Sequence, residues 1–197
     1  MEPIPPIDPN HFIHVRMVLS MVVSLALARL LSGLAKFVQH PQRVAVFDVH
    51  LLWSLFMLTF LIHFWWWEFS LIHRPAWTFW TFAFVVGYAA MLYLMCAILF
   101  PDDLAEYDGY RGYFMSRRAW FFGLFAWVLL LDLVDTRLKG AAHWQAHTPE
   151  IWLRTVIGLG ACALGAYSRS ERLQRVLVLL VLACQATWIA RLYVRLE

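Results

Sequence analysis

The chain has 197 residues, 62% of them hydrophobic, and a formal net charge of +3. Only 15% of the residues are charged and 17% are aromatic, whereas an average soluble domain is roughly 25% charged. Too few polar groups are present to cover a surface in water, which excludes a soluble globular domain, a disordered chain and a small disulfide scaffold. The composition therefore predicts an all-α, polytopic transmembrane bundle.

About six apolar stretches follow one another along the chain, each near the roughly 20 residues that cross a hydrocarbon core. Proline and polar residues separate them. The predicted spans are residues 12–38, 47–72, 77–100, 119–138, 151–168 and 173–193. They form one domain over residues 1–197, with short loops and a longer polar, interfacial segment at 101–118.

The charge distribution between the spans predicts an orientation. The loops after spans 1, 3 and 5 carry slightly more Lys and Arg than the opposite side, and the positive-inside rule places them in the cytoplasm. Both termini are then outside, and we expect the plasma (inner) membrane. In this arrangement most His and many Trp residues fall toward the side of the termini, with several carboxylates at similar depth.

Several ionisable residues lie within or near the ends of spans, where a charge costs at least about 2.5–3.5 kcal/mol and normally finds a partner. Asp132 and Asp135 share one face of span 4, and Arg191 is a candidate partner for them. Glu68 matches Arg16 in depth, and Arg29 lies nearest the centre of span 1. The predicted charge network, which either conducts an ion or a proton or holds helices in register, is Arg16, Arg29, Glu68, Asp132, Asp135 and Arg191.

A metal site is a further hypothesis for the side of the termini. Histidines spaced i, i+3 or i, i+4 share a helical face, and a carboxylate can complete the set for a divalent metal. The alternative is that these residues are amphipathic anchors at the headgroups. The candidate ligands are His11, His14, His63, Glu68, His143 and His147.

No other cofactor is expected. His50 and His63 lie 13 positions apart on span 2, but the other spans offer no His at matching depth, so we do not expect haem. The three cysteines fall in apolar stretches, which is typical of small buried hydrophobes. No cluster of Lys and Arg interleaved with aromatics is present, so we expect no nucleic-acid partner.

Two features indicate docking surfaces. The 101–118 segment is interpreted as a short interfacial helix that contacts lipid headgroups or a partner. Gly158, Ala161 and Gly165 give span 5 a surface of small residues, which favours close helix packing or oligomerisation. The charged residues of the polar segment are Asp102, Asp103, Glu106, Asp108, Arg111, Arg117 and Arg118.

No catalytic motif names a reaction, so enzymatic activity is not the leading hypothesis. The first hypothesis is a non-enzymatic accessory, assembly or structural subunit of a membrane complex, surrounded by lipid and forming a homo-oligomer or a larger assembly. The alternative is an ion or proton channel, or a small transporter, that uses the intramembrane charges. A metal-dependent membrane enzyme at the His-rich face is third.

Overall fold

The computed structural model describes residues 9–40, 45–73 and 77–194, and these contain helices but no β-strand. The predicted all-α bundle is confirmed. A 3-10 helix, Glu68–His73, continues directly from the second of six long helices. These are α1 Pro9–Gln39, α2 Asp48–Trp67, α3 Phe79–Leu99, α4 Gly109–Leu138, α5 Ala141–Tyr167 and α6 Glu171–Val194.

Within the described residues, five helices are long and apolar enough to cross a membrane, namely all but α5. The first half of α5 is more polar, since it carries Pro149, Glu150 and Arg154. Large apolar side chains cover much of the outside of the bundle: Phe79 is 72% exposed and Trp80 is 79% exposed. A surface of this kind is stable in lipid, where it need not be shielded from water.

Two boundaries differ from the prediction. Helix α4 begins at Gly109 and not at 119, so half of the predicted interfacial segment belongs to the spanning helix. The extension is stabilised by Tyr110, Tyr113 and Phe114, which lie on one helical face and are buried. Polarity suggested a separate interfacial helix, but burial of three aromatic side chains makes residues 109–118 part of α4.

Helix α5 likewise begins ten residues before the predicted start of span 5, so the expected loop with His143 and His147 is helical. Only Lys139 and Gly140 separate α4 from α5. Gly140 has a φ of 111°, a backbone conformation that side-chain-bearing residues rarely adopt. This tight reversal places α4 and α5 side by side and antiparallel, and the two helices pack extensively.

Aromatic side chains fill the middle of the bundle. The Trp53 ring makes edge-on contacts with the rings of Phe56, Phe121 and Phe122, with centroids 5.2–5.5 Å apart. All four side chains are no more than 1% exposed. These four side chains, which we call the aromatic layer, lie on the first half of α2 and on α4.

Candidate functional site

A buried ion-pair cluster lies at the end of the bundle where α2 and α4 finish. The Lys139 Nζ donates to Glu68 Oε1 at 2.9 Å and also to Asp135 Oδ2. The Lys139 and Asp135 side chains are fully buried and that of Glu68 is 3% exposed. One ammonium is therefore shared by two carboxylates from different parts of the chain, and all three are removed from water. We call Glu68, Asp135 and Lys139 the charge cluster.

Local backbone structure positions each member of the charge cluster. Glu68 lies where α2 changes into the 3-10 helix, and its own N–H donates to the carbonyls of Phe64 and Trp66. Asp135 is one turn before Lys139, so their side chains lie on the same face of α4. Lys139 follows the last residue of α4, where a cation is favoured by the helix dipole.

The ammonium of Lys139 stays charged despite its burial. Burial by itself lowers the pKa of this group, but the charges of Asp135 and Glu68 and their hydrogen bonds outweigh that effect and raise its pKa. The Trp67 ring, whose centroid is 5.3 Å from Nζ, adds a cation–π contact. The charged form of Lys139 is therefore favoured between the two acids.

A narrow cleft adjoins the charge cluster. Asp132 and Arg154, of opposite charge, both line it, and the Tyr88 hydroxyl donates to Asp132 Oδ1 at 3.4 Å. His63 and Trp67 line the same cleft. A second groove, of about 250 Å³, lies between α1 and the 3-10 helix, and Glu68 and Arg16 are among its lining residues. Glu68 therefore borders this groove, although its side chain is almost fully covered.

Buried polar atoms without a hydrogen-bond partner concentrate in this region. Both acids of the charge cluster contribute one: Glu68 Oε2 and Asp135 Oδ1. Such atoms are costly in a protein interior, and a functional ligand or ion is one of the ordinary reasons that they are retained. The neighbouring atoms of the same kind are His63 Nδ1, Trp67 Nε1, His143 Nε2 and Trp188 Nε1.

The remaining members of the predicted network have other partners. Arg191 binds Glu150 on α5 at 2.5 Å and does not contact Asp132 or Asp135, so the predicted pairing is wrong. Arg16 is not bonded to Glu68; its guanidinium lies 4.5 Å from the centroid of the Phe69 ring. Glu68 is paired with Lys139 instead, because the end of α2 packs toward the end of α4.

Arg29 does not lie at the centre of the bundle, as its place in span 1 predicted. It donates to the carbonyl of Phe100 at 2.6 Å and pairs with Asp102 at 2.7 Å. Both partners follow the end of α3, so Arg29 lies at the end of the bundle opposite the charge cluster. Helix α1 runs from Pro9 to Gln39, and Arg29 lies about two thirds of the way along it, toward that end.

The predicted metal ligands do not converge. Within the described part of the chain, no three His, Cys, Asp or Glu side chains form a group that could hold a metal. The Trp67 ring lies between His63 and the α5 histidines, with centroids 5.9 Å from His63 and 4.8 Å from His143. His14 is exposed on α1, and the side chain of His11 lies outside the described residues.

The two α5 histidines contact each other instead, with ring centroids 4.5 Å apart, and His147 Nδ1 donates to the carbonyl of His143. Burial, with smaller effects from His147 and Lys139, lowers the pKa of His143 to about 4. The His143 ring is therefore neutral at physiological pH.

At the opposite end, His50 Nε2 donates to the carbonyl of Leu99 at 2.7 Å, and its ring stacks on Tyr110.

The predicted docking features are largely used within the chain. A Cβ at Gly158 would overlap Leu129, and one at Gly165 would overlap the Phe122 ring, so both glycines serve the contact between α5 and α4. Ala161 lies between them, partly buried. Asp102 pairs with Arg29, and Arg111 pairs with Glu171 at 2.5 Å.

Of the five remaining charged residues of the polar segment, three make local hydrogen bonds and one is exposed. Arg117 donates to the Tyr107 hydroxyl, Arg118 donates to the Met115 carbonyl, and Asp103 accepts from the Ala105 N–H. Glu106 is exposed. Asp108, the fifth, precedes α4, and its side chain makes no capping hydrogen bond.

Sequence reasoning missed Lys139, Tyr88 and Arg154. None of the three is among the candidate residues that the sequence indicated, although Tyr88 and Arg154 lie within predicted spans 3 and 5. The spacing of Asp135 and Lys139, four residues apart, was a usable signal because such pairs contact each other on a helix. Nothing in the sequence indicated that Glu68 would reach the same ammonium.

No family model, curated protein or solved structure matches the chain.

Proposed function

We propose that this protein translocates a small cation across the membrane and that the charge cluster is its ion-binding station. The observation that carries the proposal is the Lys139 ammonium, fully buried and bound by carboxylates of α4 and of the α2 terminus. Intramembrane ionisable residues are expensive and commonly mark ion or proton paths. The cluster has one more acid than base, which favours a positively charged substrate.

The surroundings of the cluster support this proposal. Acidic and basic side chains continue from the cluster into the cleft lined by Asp132 and Arg154. The cleft has room for about one ordered water, which suits an ion or a proton and not a metabolite. The aromatic layer around Trp53 closes the opposite direction in this conformation, so translocation requires the helices to rearrange and open that layer.

The finer localisation is part of the same proposal. We place the protein in the plasma (inner) membrane with both termini outside, as the distribution of Lys and Arg indicates, and this orientation requires α5 to cross the membrane as a sixth span. The charge cluster, near the start of α5 and the ends of α2 and α4, is then close to the outer side.

The accessory-subunit role is the second candidate, and its support is weaker. It depended on small residues of α5 and on the 101–118 segment as docking surfaces. Gly158 and Gly165 are covered by α4, and Arg29 and Glu171 engage two charges of the segment. An exposed face of α5 that carries Leu153, Val156 and Ile157 suits lipid as well as a partner.

Reconstitution of the purified chain into liposomes tests the proposal. Flux of protons, Na⁺ and K⁺ is followed with ion-selective dyes, in wild type, in Glu68→Gln and in Asp132→Asn. The matched control is Asp48→Asn, which removes an acid from a pair with Arg175 outside the cluster. We expect wild-type flux that is lost in the first two variants and kept in the control.

Three results would overturn the proposal. These are wild-type flux no greater than that of empty liposomes, flux that all variants share equally, and flux that appears only with a co-purified partner. The last result would favour the accessory role. Thermal unfolding of each variant in detergent is the control that distinguishes a loss of flux from a loss of folding.

A further inference from the structure

We propose that the cation held by the charge cluster is a proton, shared between the carboxyl groups of Glu68 and Asp135. The inference rests on the proposed function, whose ion it names. It starts from the geometry of the cluster: both carboxyl groups accept from one ammonium, so their oxygens lie within about two hydrogen-bond lengths of each other. Each group also has one buried oxygen with no partner, Glu68 Oε2 and Asp135 Oδ1.

The charge count indicates that one proton is needed. Glu68 and Asp135 contribute two negative charges and Lys139 one positive charge, which leaves one negative charge in a site that is almost completely buried. An uncompensated charge in such a site costs several kcal/mol, and buried groups ordinarily take up a proton to avoid that cost. A single proton on the carboxylate pair brings the cluster to neutrality.

The other charged groups near the cluster do not supply the missing positive charge. Asp132 and Arg154 both line the adjoining cleft, and because their charges are opposite they add no net charge. Arg16, on α1, is exposed and lies over the Phe69 ring. His63 on α2 and His143 on α5 are separated from the ammonium by the Trp67 ring, and the Tyr88 hydroxyl donates to Asp132.

A metal cation fits this site less well than a proton does. Hard cations prefer about six or more oxygen ligands, and Lys139 already occupies the position between the two carboxylates. A proton needs only one donor oxygen and one acceptor. It can enter from the groove that Glu68 lines, passing from water to a carboxylate oxygen, and it leaves by the reverse transfer to water.

Infrared spectroscopy of the full chain tests the inference directly, because a protonated carboxyl group has a C=O stretch that a carboxylate lacks. We expect wild type at neutral pH to show this band, with a shift in D₂O. Each of Glu68→Gln and Asp135→Asn should remove it, since the one remaining carboxylate is balanced by Lys139. Lys139→Met should strengthen it, since two acids then lack a cation. Asp48→Asn should leave it unchanged.

The variants distinguish a shared proton from a merely structural cluster. In a structural cluster, the C=O band would not depend on the number of charges. Absence of the band in wild type overturns the inference without any variant, so a variant that fails to fold does not prevent the test. A band that persists in both amide variants also overturns it.

Failure of this inference and failure of the proposed function are distinguishable. Flux of Na⁺ or K⁺ in liposomes, without the band, leaves the proposed function standing and excludes the proton. A band that follows the charge count, without flux of any ion, supports the shared proton and excludes translocation.

Discussion

Lys139 and Glu68 are 71 residues apart in the chain, yet the ammonium of one is 2.9 Å from a carboxylate oxygen of the other inside the bundle. Asp135 binds the same ammonium from within α4. This contact joins the end of α2 to the junction between α4 and α5.

Removing the cation from the cluster should be strongly destabilising. Lys139→Met leaves Glu68 and Asp135 buried without their partner, and breaking a buried pair in this way typically costs about 3–5 kcal/mol. Unfolding of the purified protein in mixed detergent measures the loss. The matched control is Arg175→Met, which breaks the pair with Asp48 at a site where both side chains are nearly half exposed and which should change stability little. Equal losses in the two variants would contradict the prediction.

The two carboxylates should restore part of that stability when they are neutralised together. The triple variant Glu68→Gln, Asp135→Asn, Lys139→Met removes every charge of the cluster, and neutral replacements of buried pairs are often tolerated. We expect the triple variant to be more stable to unfolding than Lys139→Met alone. A triple variant less stable than the single variant would show that the cluster's shape, and not its charge balance, dominates.

Close packing of α5 on α4 predicts opposite effects for two glycines of the same helix. Gly165→Ala places a methyl group against the Phe122 ring and should cost about 1–3 kcal/mol. Gly160→Ala meets no atom within 4 Å, and the helix preference of Ala should leave stability equal or slightly higher. Thermal unfolding in detergent compares them. A destabilised Gly160→Ala would show that the outer face of α5 is covered by something else.

The reversal between α4 and α5 should depend on Gly140. Its φ of 111° strains any residue with a side chain, so Gly140→Ala should cost about 1–3 kcal/mol. Because Lys139 is the preceding residue, the same variant should also reduce the infrared and flux signals of the charge cluster. Gly123→Ala, at an open helical position of α4, is the control that should leave all three measurements unchanged.

Acid should destabilise the protein in part through His143. Its folded-state pKa is about 4, below the ordinary value of 6.5, so folding favours the neutral ring. That contribution to stability is complete above pH 6.5 and is lost as the pH falls toward 4. His143→Gln should therefore lose less stability than wild type between pH 7 and pH 4. His14→Gln, at an exposed position, should follow the wild-type curve.

Composition and the spacing of apolar stretches were enough to predict the class of fold and which charged residues lie toward each end of the bundle. Long apolar stretches must be helical in lipid, since every backbone polar group needs an internal partner, and antiparallel spans place Glu68, Asp132 and Asp135 near the same end. The helix ends were less accessible to this reasoning. Burial of Tyr110 and Phe114 extended α4 into a segment that its polarity indicated to be a separate interfacial helix.

Which charges pair with one another depends on how the helices pack. Position along a span predicts depth, but it does not predict rotation about the helix axis or the partner helix, and an ion pair requires all three. For this reason Arg191 and Arg16 had the right depth and the wrong partners, whereas Lys139, assigned to a loop, became the centre of the site. The packing of α2 toward α4 placed one ammonium between two acids, a contact between residues 71 positions apart that no local pattern encodes.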